Sequence, residues 1–280
     1  MERSSGEIAV LQLDAGHMFS DQVTPSGFSD ETRTRNEWIL RGFELLDPGA
    51  LNVSHRDIGF LATLMEEKAH ASAAKRFPVL GRFVSANVVP LDARVRPFAP
   101  YVVREVAAKR IGDRPLRIGV IGLTEVPSGL GGPRAKIDVG GYTLVDPLAA
   151  AARLVPELRE RVDIVVVLAY LDREAAKRLG ASVPGIDLIL TARAAPTVGR
   201  VEEAGGAIVA FASHETKSLT EVRLYKSEGA KAGTIAGFIQ RSVQLDSIVA
   251  DDPAAFRLAA EARAAIAAAG RSTGASAATP

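Results

Sequence analysis

The sequence predicts an α/β fold with a layered core, and three observations carry that expectation. Leu116-Arg-Ile-Gly-Val-Ile-Gly-Leu123 is an almost unbroken apolar run of the kind buried on both faces of a sheet, and Asp163-Ile-Val-Val-Val-Leu168 repeats it. Between them, Asp146-Pro147 places an N-cap and a first-turn proline ahead of a helical segment at 148–161. A helix over 172–179 and a third strand over 186–190 continue the alternation.

The remaining elements follow in chain order. Residues 8–14 read as a buried strand ending in a polar turn, and 30–46 as a helix with Trp38, Ile39, Phe43 and Leu46 at helical spacing and Asp30 as N-cap. Asp47-Pro48-Gly49 stops it. A short strand at 50–53 precedes a helix at 57–69, whose apolar side carries Ile58, Leu61, Leu64 and Met65. Strands at 83–89 and 101–106 are separated by Pro90, Pro97 and Pro100, which exclude a helix between them. Beyond Ala195-Pro196, strand-like pieces at 199–203, 207–211, 219–225 and 234–245 have no helix between them, so an antiparallel meander is expected beside the α/β core. Asp251-Asp252-Pro253 caps an alanine-rich helix at 254–269, and 270–280 is a low-complexity Ser/Thr/Ala tail expected to be disordered.

Composition narrows the chemistry. The chain has 280 residues, 34 basic against 33 acidic, and 47% hydrophobic residues, so it supports a large folded core and carries no global field that would steer it to nucleic acid or an anionic membrane. With no cysteine, disulfides, zinc-thiolate sites, iron-sulfur clusters and thiol nucleophiles are excluded. Imidazole chemistry must draw on His17, His55, His70 and His214. No apolar run reaches the roughly 20 residues of a membrane helix. The N-terminus lacks the pattern of a signal peptide, so the chain as written reads as cytoplasmic. Gly129-Leu-Gly-Gly132 and Gly140-Gly141 lack a Walker lysine and read as loop turns; no Gly-X-Ser-X-Gly elbow occurs.

Polar residues after strands are the natural site candidates, because ligands of open α/β sheets sit outside the carboxyl ends of the strands. Asp14-Ala-Gly-His17 follows the first strand and Asn52-Val-Ser-His-Arg-Asp57 the second. Ala169-Tyr-Leu-Asp172 and Thr191-Ala-Arg193 follow two later ones. Taken singly, each has a structural explanation: Asp14 as an Asx turn, Asp57 as a helix cap, Arg193 as a solvated surface residue, His70 as a partner of a helix C-terminus.

Taken in order, these segments together with Val84-Ser-Ala-Asn-Val88, Arg117-Ile-Gly-Val-Ile-Gly-Leu-Thr124, Val145-Asp-Pro147 and Gly185-Ile-Asp-Leu-Ile-Leu190 resemble the N-terminal catalytic domain of bacterial 5'-nucleotidases, which are calcineurin-like metallophosphoesterases. The resemblance covers roughly 8–225. It implies a four-layer α/β/β/α sandwich with mixed sheets, a metallophosphoesterase-like domain over 1–250, and hydrolysis of phosphate esters, of nucleotides by descent, through two divalent metals and a bridging hydroxide. The first family motif, an Asp-X-His, would precede the residues present, which suggests a later start than in relatives and, with an upstream leader, a periplasmic or exported protein.

Against the family pattern the ligand motifs are altered. Gly-Asp becomes Gly16-His17, and Gly-Asn-His-Glu becomes Ser54-His55-Arg56-Asp57. In Ser-His-Leu-Gly the histidine becomes Tyr170, and Gly-His-Thr-His becomes Ala192-Arg193-Ala194-Ala195. Two readings follow. In one, Asp14, His17, His55 and Asp57 form a reduced set that holds a divalent metal (Mn, Zn or Fe), and a metal-dependent phosphoric ester hydrolase of much reduced or lost activity results. In the other, the chain is a catalytically inactive pseudoenzyme that binds a phosphate or nucleotide through Arg56 and Arg193, or a protein partner that the sequence does not identify. His214, in Ala212-Ser-His-Glu-Thr-Lys217, is a weaker metal candidate.

Overall fold

The structure, a computed structural model, describes residues 10–23, 27–106, 115–127, 140–193, 201–212, 217–225 and 235–276. In chain order its elements are β1 (Leu13–Asp14), α1 (Asp30–Leu46), β2 (Ala50–Asn52), α2 (Ile58–Met65), α3 (Glu67–Arg76), β3 (Phe83–Val84) and β4 (Val88–Pro90). The central part holds β5 (Tyr101–Val106), β6 (Leu116–Thr124), β7 (Tyr142–Leu144), α4 (Pro147–Arg159), β8 (Ile164–Tyr170), α5 (Arg173–Ser182) and β9 (Leu188–Thr191). The chain continues through β10 (Val201–Ala204), β11 (Ala207–Phe211), β12 (Ser218–Tyr225), β13 (Gly237–Gln244) and α6 (Pro253–Ser276).

Two sheets form the centre. The larger has the order β10-β11-β9-β8-β6-β5, with β6, β8, β9 and β11 mutually parallel and β5 and β10 antiparallel at its edges. The smaller is the parallel set β1-β2-β3, and the hairpin β12-β13 and the pair β4-β7 complete the strands. The period-2 alternation of β8 explains why its run is apolar throughout: Val165, Val167 and Ala169 face α4 and α5, while Ile164, Val166 and Leu168 face the small sheet. The second apolar interface joins Val120, Val166 and Leu188 to Ala50 and Val84 and to Val222, Leu224 and Phe238 of the hairpin. The third packs Leu51 and Phe83 of the small sheet against Leu40 of α1 and Phe60 and Leu61 of α2. Three apolar interfaces separate four layers, the expected α/β/β/α order with mixed sheets.

Buried amides bolt the two sheets together near the carboxyl ends of their strands. Gly122 of β6 lies so close to β3 that a Cβ there would stand 2.2 Å from the Val84 carbonyl oxygen and 2.7 Å from Asn52 Oδ1. Asn52 Nδ2 donates to Leu123 O (2.8 Å) and Ala15 O (2.9 Å). Asn87 Nδ2 donates to Thr124 O (2.7 Å) and Val145 O, and its Oδ1 accepts from Thr124 N–H. Each satisfies a backbone group that close approach would otherwise strand.

Several local expectations are corrected. The 57–69 helix is two helices, because Glu66 adopts an extended conformation (ψ 135°) between α2 and α3. Residues 83–89 form two short strands in different sheets, β3 and β4, since Ser85–Asn87 cross from one to the other. The 199–211 region is no separate meander: β11 pairs in parallel with β9 inside the large sheet, and among the described residues β12-β13 is an antiparallel hairpin outside that sheet. The α1 cap is Ser29, whose side chain accepts from Thr32 N–H, and not Asp30. The C-terminal helix continues to Ser276, past Ala269, where the sequence pattern would end it. Among the described residues no helix is long and apolar enough to cross a membrane.

Candidate functional site

The carboxyl ends of β1, β2, β6, β8 and β9 deliver His17, His55 and Arg56, Glu125, Tyr170 and Arg193 to one region. Tyr170 stands at its centre, its ring 5.4 Å from that of His17 and 5.4 Å from that of His55, both edge-on.

Asp57 organises the entrance loop. It is fully buried, and its two oxygens accept five hydrogen bonds. Oδ2 takes His17 N–H (2.8 Å), Ser54 N–H (3.0 Å) and Ser54 Oγ–H (2.6 Å), while Oδ1 takes Met18 N–H (2.9 Å) and Phe19 N–H (3.1 Å). A carboxylate offers about four lone-pair sites, so these donors saturate it. It makes no side-chain cap to α2, which corrects the helix-cap reading. Its work is to hold 16–19 in a sharp turn. Gly16 (φ 99°) and His17 (φ 67°) both have positive φ, and a Cβ on Gly16 would stand 3.1 Å from Ser54 N. Asp14 Oδ1 accepts Gly16 N–H at 2.7 Å, the expected Asx turn. Burial, reinforced by the Asp57 charge and opposed by the Gly16 N–H, pushes the Asp14 carboxyl up to about 6.

That turn aims His17 at Tyr170, with Nδ1 and the phenol oxygen 3.2 Å apart. His55 is fixed by its backbone, which donates to Thr124 Oγ1 (2.8 Å), while its buried Nδ1 has no hydrogen-bond partner and stands 3.9 Å from Glu125 Oε1. Burial, together with the charges of Arg56 and Arg193 and with His17, lowers its pKa to about 4, so His55 is neutral at physiological pH. The two arginines occupy the rim: Arg56 Nη1 donates to Asp21 Oδ2 (2.7 Å), and Arg193 pairs with Glu125. Both guanidinium side chains are about half exposed, and such ion pairs are worth roughly 0–1 kcal/mol. Burial raises the Tyr170 pKa, so its hydroxyl is a neutral donor.

Asp14, His17, His55 and Asp57 therefore lie in one region, but their donor atoms do not form a ligand set. Asp57 is saturated by backbone and hydroxyl donors, the Asp14 Oδ1 is turned back onto Gly16, and the His17 Nδ1 faces Tyr170. Among the described residues no group of three or more His, Asp or Glu could hold a metal ion. As arranged here, the described residues do not fit the divalent metal that the resemblance implies. No sequence pattern singles out Glu125 or Asp21; the signal for Glu125 is that it directly follows the β6 strand. His70 lies within α3, its Nδ1 3.3 Å from Leu64 O near the end of α2, so it meets the preceding helix's C-terminus and not its own. His214, Ala194, Ala195 and Gly129–Gly132 lie outside the described residues.

Neither the models of known protein families nor curated protein sequences match the chain. Solved structures do. The sulfate thiohydrolase SoxB of Thermus thermophilus superposes with a TM-score of 0.67 at 20% identity, over 92% of this chain and 42% of its own. A 5'-nucleotidase precursor from Thermus thermophilus gives 0.64 at 21% identity, over 95% and 50%. The calcineurin-like phosphoesterase YfkN of Bacillus subtilis gives 0.65 at 17% identity, over 92% and 84%. The chain has the metallophosphoesterase fold, and it spans about half the length or less of the first two of these proteins.

Proposed function

We propose that this chain binds the phosphate group of a nucleotide or related phosphate ester at the strand-end cluster, and that metal-dependent hydrolysis of the 5'-nucleotidase kind is much reduced or lost in it. The observation that carries this reading is the exchange made at one place in the fold. The carboxylate Asp57 is spent on five internal donors, while Arg56, Arg193 and the Tyr170 hydroxyl are donors that need no metal to meet an oxyanion. A dianion entering between the arginines competes with Asp21 and Glu125 for half-exposed guanidiniums, an exchange of weak ion pairs for bidentate charge-assisted hydrogen bonds. Its negative charge also favours protonation of His55, adding a cationic donor where the free site has neutral imidazole.

Calorimetric titration of inorganic phosphate and AMP in metal-free buffer tests this, beside a turnover assay with Mn²⁺, Zn²⁺ and Fe²⁺. The expected result is saturable binding that Arg56→Ala/Arg193→Ala weakens at least tenfold, without turnover. Binding unchanged in the double variant overturns the pocket. Metal-dependent turnover abolished by His17→Ala overturns the loss of hydrolysis.

A further inference from the structure

At the opposite pole of the small sheet, where Gln12, Gly49 and Arg82 lead into the amino ends of β1, β2 and β3, a cavity of about 450 Å³ opens. Its volume is that of a small-molecule site. Two guanidiniums line it. Arg82 pairs with Asp47 at 3.0 Å. Arg104, on β5, spends its Nε on the Gly49 carbonyl (2.6 Å), and among the described residues it makes no ion pair. The other acid in the wall, Glu105, is turned to Arg117 at 3.5 Å. Among the described residues, two arginines thus share the carboxylate of Asp47.

The arrangement is costly for a free protein. Arg104 is partly withdrawn from water, and burial, followed by the neighbouring charge of Arg82 and opposed by Asp47, disfavours its cationic form. Beside this surplus charge the rim is apolar: Leu46 is 55% exposed and Val10 37%. Apolar side chains held in water around a partly buried guanidinium that makes no ion pair of its own among the described residues complement one kind of ligand, a single negative charge on an apolar body.

We propose that this cavity is a second ligand site, distinct from the strand-end cluster, and that it takes a small monocarboxylate whose carboxylate is gripped end-on by Arg104 with Arg82 beside it and whose apolar body lies against Leu46 and Val10. A carboxylate fits because Arg104, with Nε committed to Gly49, keeps the two terminal nitrogens that form a bidentate pair. One charge fits because, among the described residues, the two arginines exceed the one carboxylate that faces them by a single charge.

Benzoate is the probe, titrated calorimetrically into the whole chain beside inorganic phosphate. One saturable site is expected, weakened at least tenfold by Arg104→Gln and several-fold by Arg82→Gln, and unchanged by Arg56→Ala/Arg193→Ala. Absence of saturable benzoate binding, or equal binding by the folded Arg104→Gln variant, overturns the site. Phosphate binding that Arg104→Gln abolishes while benzoate does not bind overturns the ligand class. If circular dichroism shows Arg104→Gln unfolded, Leu46→Glu decides. It sets a carboxylate on the exposed rim and is expected to abolish benzoate binding, and wild-type affinity there overturns the proposal.

Discussion

Replacing Asp57 by asparagine separates a carboxylate that builds the site from one poised to ligate. An amide nitrogen in place of Oδ1 loses the bonds from Met18 and Phe19 and sets donor against donor. Leaving two buried N–H groups unpaired costs about 1–3 kcal/mol each. The three bonds at Oδ2 remain but lose charge assistance, which roughly halves each. The sum is at least about 4 kcal/mol, a large part of the roughly 5–15 kcal/mol a domain commands. At about 2–4 °C per kcal/mol, the melting temperature should fall by roughly 8–16 °C. Urea titration followed by far-ultraviolet circular dichroism measures it, with calorimetry as a check. The proton spectrum of His17 should also lose its contact with Tyr170 as the 16–19 turn loosens. A carboxylate held ready for an ion stores repulsion, and its neutralisation stabilises the metal-free protein. A loss below about 1 kcal/mol, or a gain, would refute the assignment of Asp57 as the organiser of this loop.

Further predictions concern charge and packing. The folded pKa of Asp14, about 6, lies above its ordinary 3.8, so the protonated form is the one the fold favours; this contribution is complete below about pH 3.8 and is lost as pH rises through 6. Asp14→Asn, neutral and still able to accept Gly16 N–H, should match wild type near pH 4 and exceed it by about 3 kcal/mol above pH 6, by urea titration; a pH-independent difference would contradict this. His55 should titrate near 4 by NMR, and Arg193→Ala, which removes a positive charge and releases Glu125, should move that midpoint up toward the ordinary 6.5; no movement would remove Arg193 from its surroundings. Gly122→Ala forces a methyl into the Val84 carbonyl and should cost about 3 kcal/mol by separating the two sheets; an unchanged melting temperature would show that the sheets are not so close.

The outline of the fold was readable because its signals are local. The runs in β6 and β8 are apolar at both parities, which only a strand covered on two sides requires, and Asp146-Pro147 starts α4 where helix-terminal chemistry places it. The α2/α3 break was not readable, because nothing in Met65-Glu66-Glu67 differs from a continuing helix; Glu66 is instead held in an isolated bridge to Val95. Nor was the parallel addition of β11 to β9, since a hairpin pattern says how two strands turn and not which edge receives them.

At the candidate site the sequence by itself determined which residue types occupy the strand ends: Arg56, Arg193 and Tyr170 beside the two imidazoles His17 and His55. It also determined that no thiolate chemistry exists here. Tertiary structure decided what those residues do. Asp57 reads as a cap or ligand from its neighbours, but three of the five donors converging on it lie 38–40 residues away, and together with the two from Ser54 they fill its acceptor sites. Glu125 enters only because β6 and β9 end side by side across β8, bringing residues 68 apart into an ion pair. Hydrogen-bonding capacity is a property of a residue type, and whether it is already spent depends on what the fold brings within 3 Å.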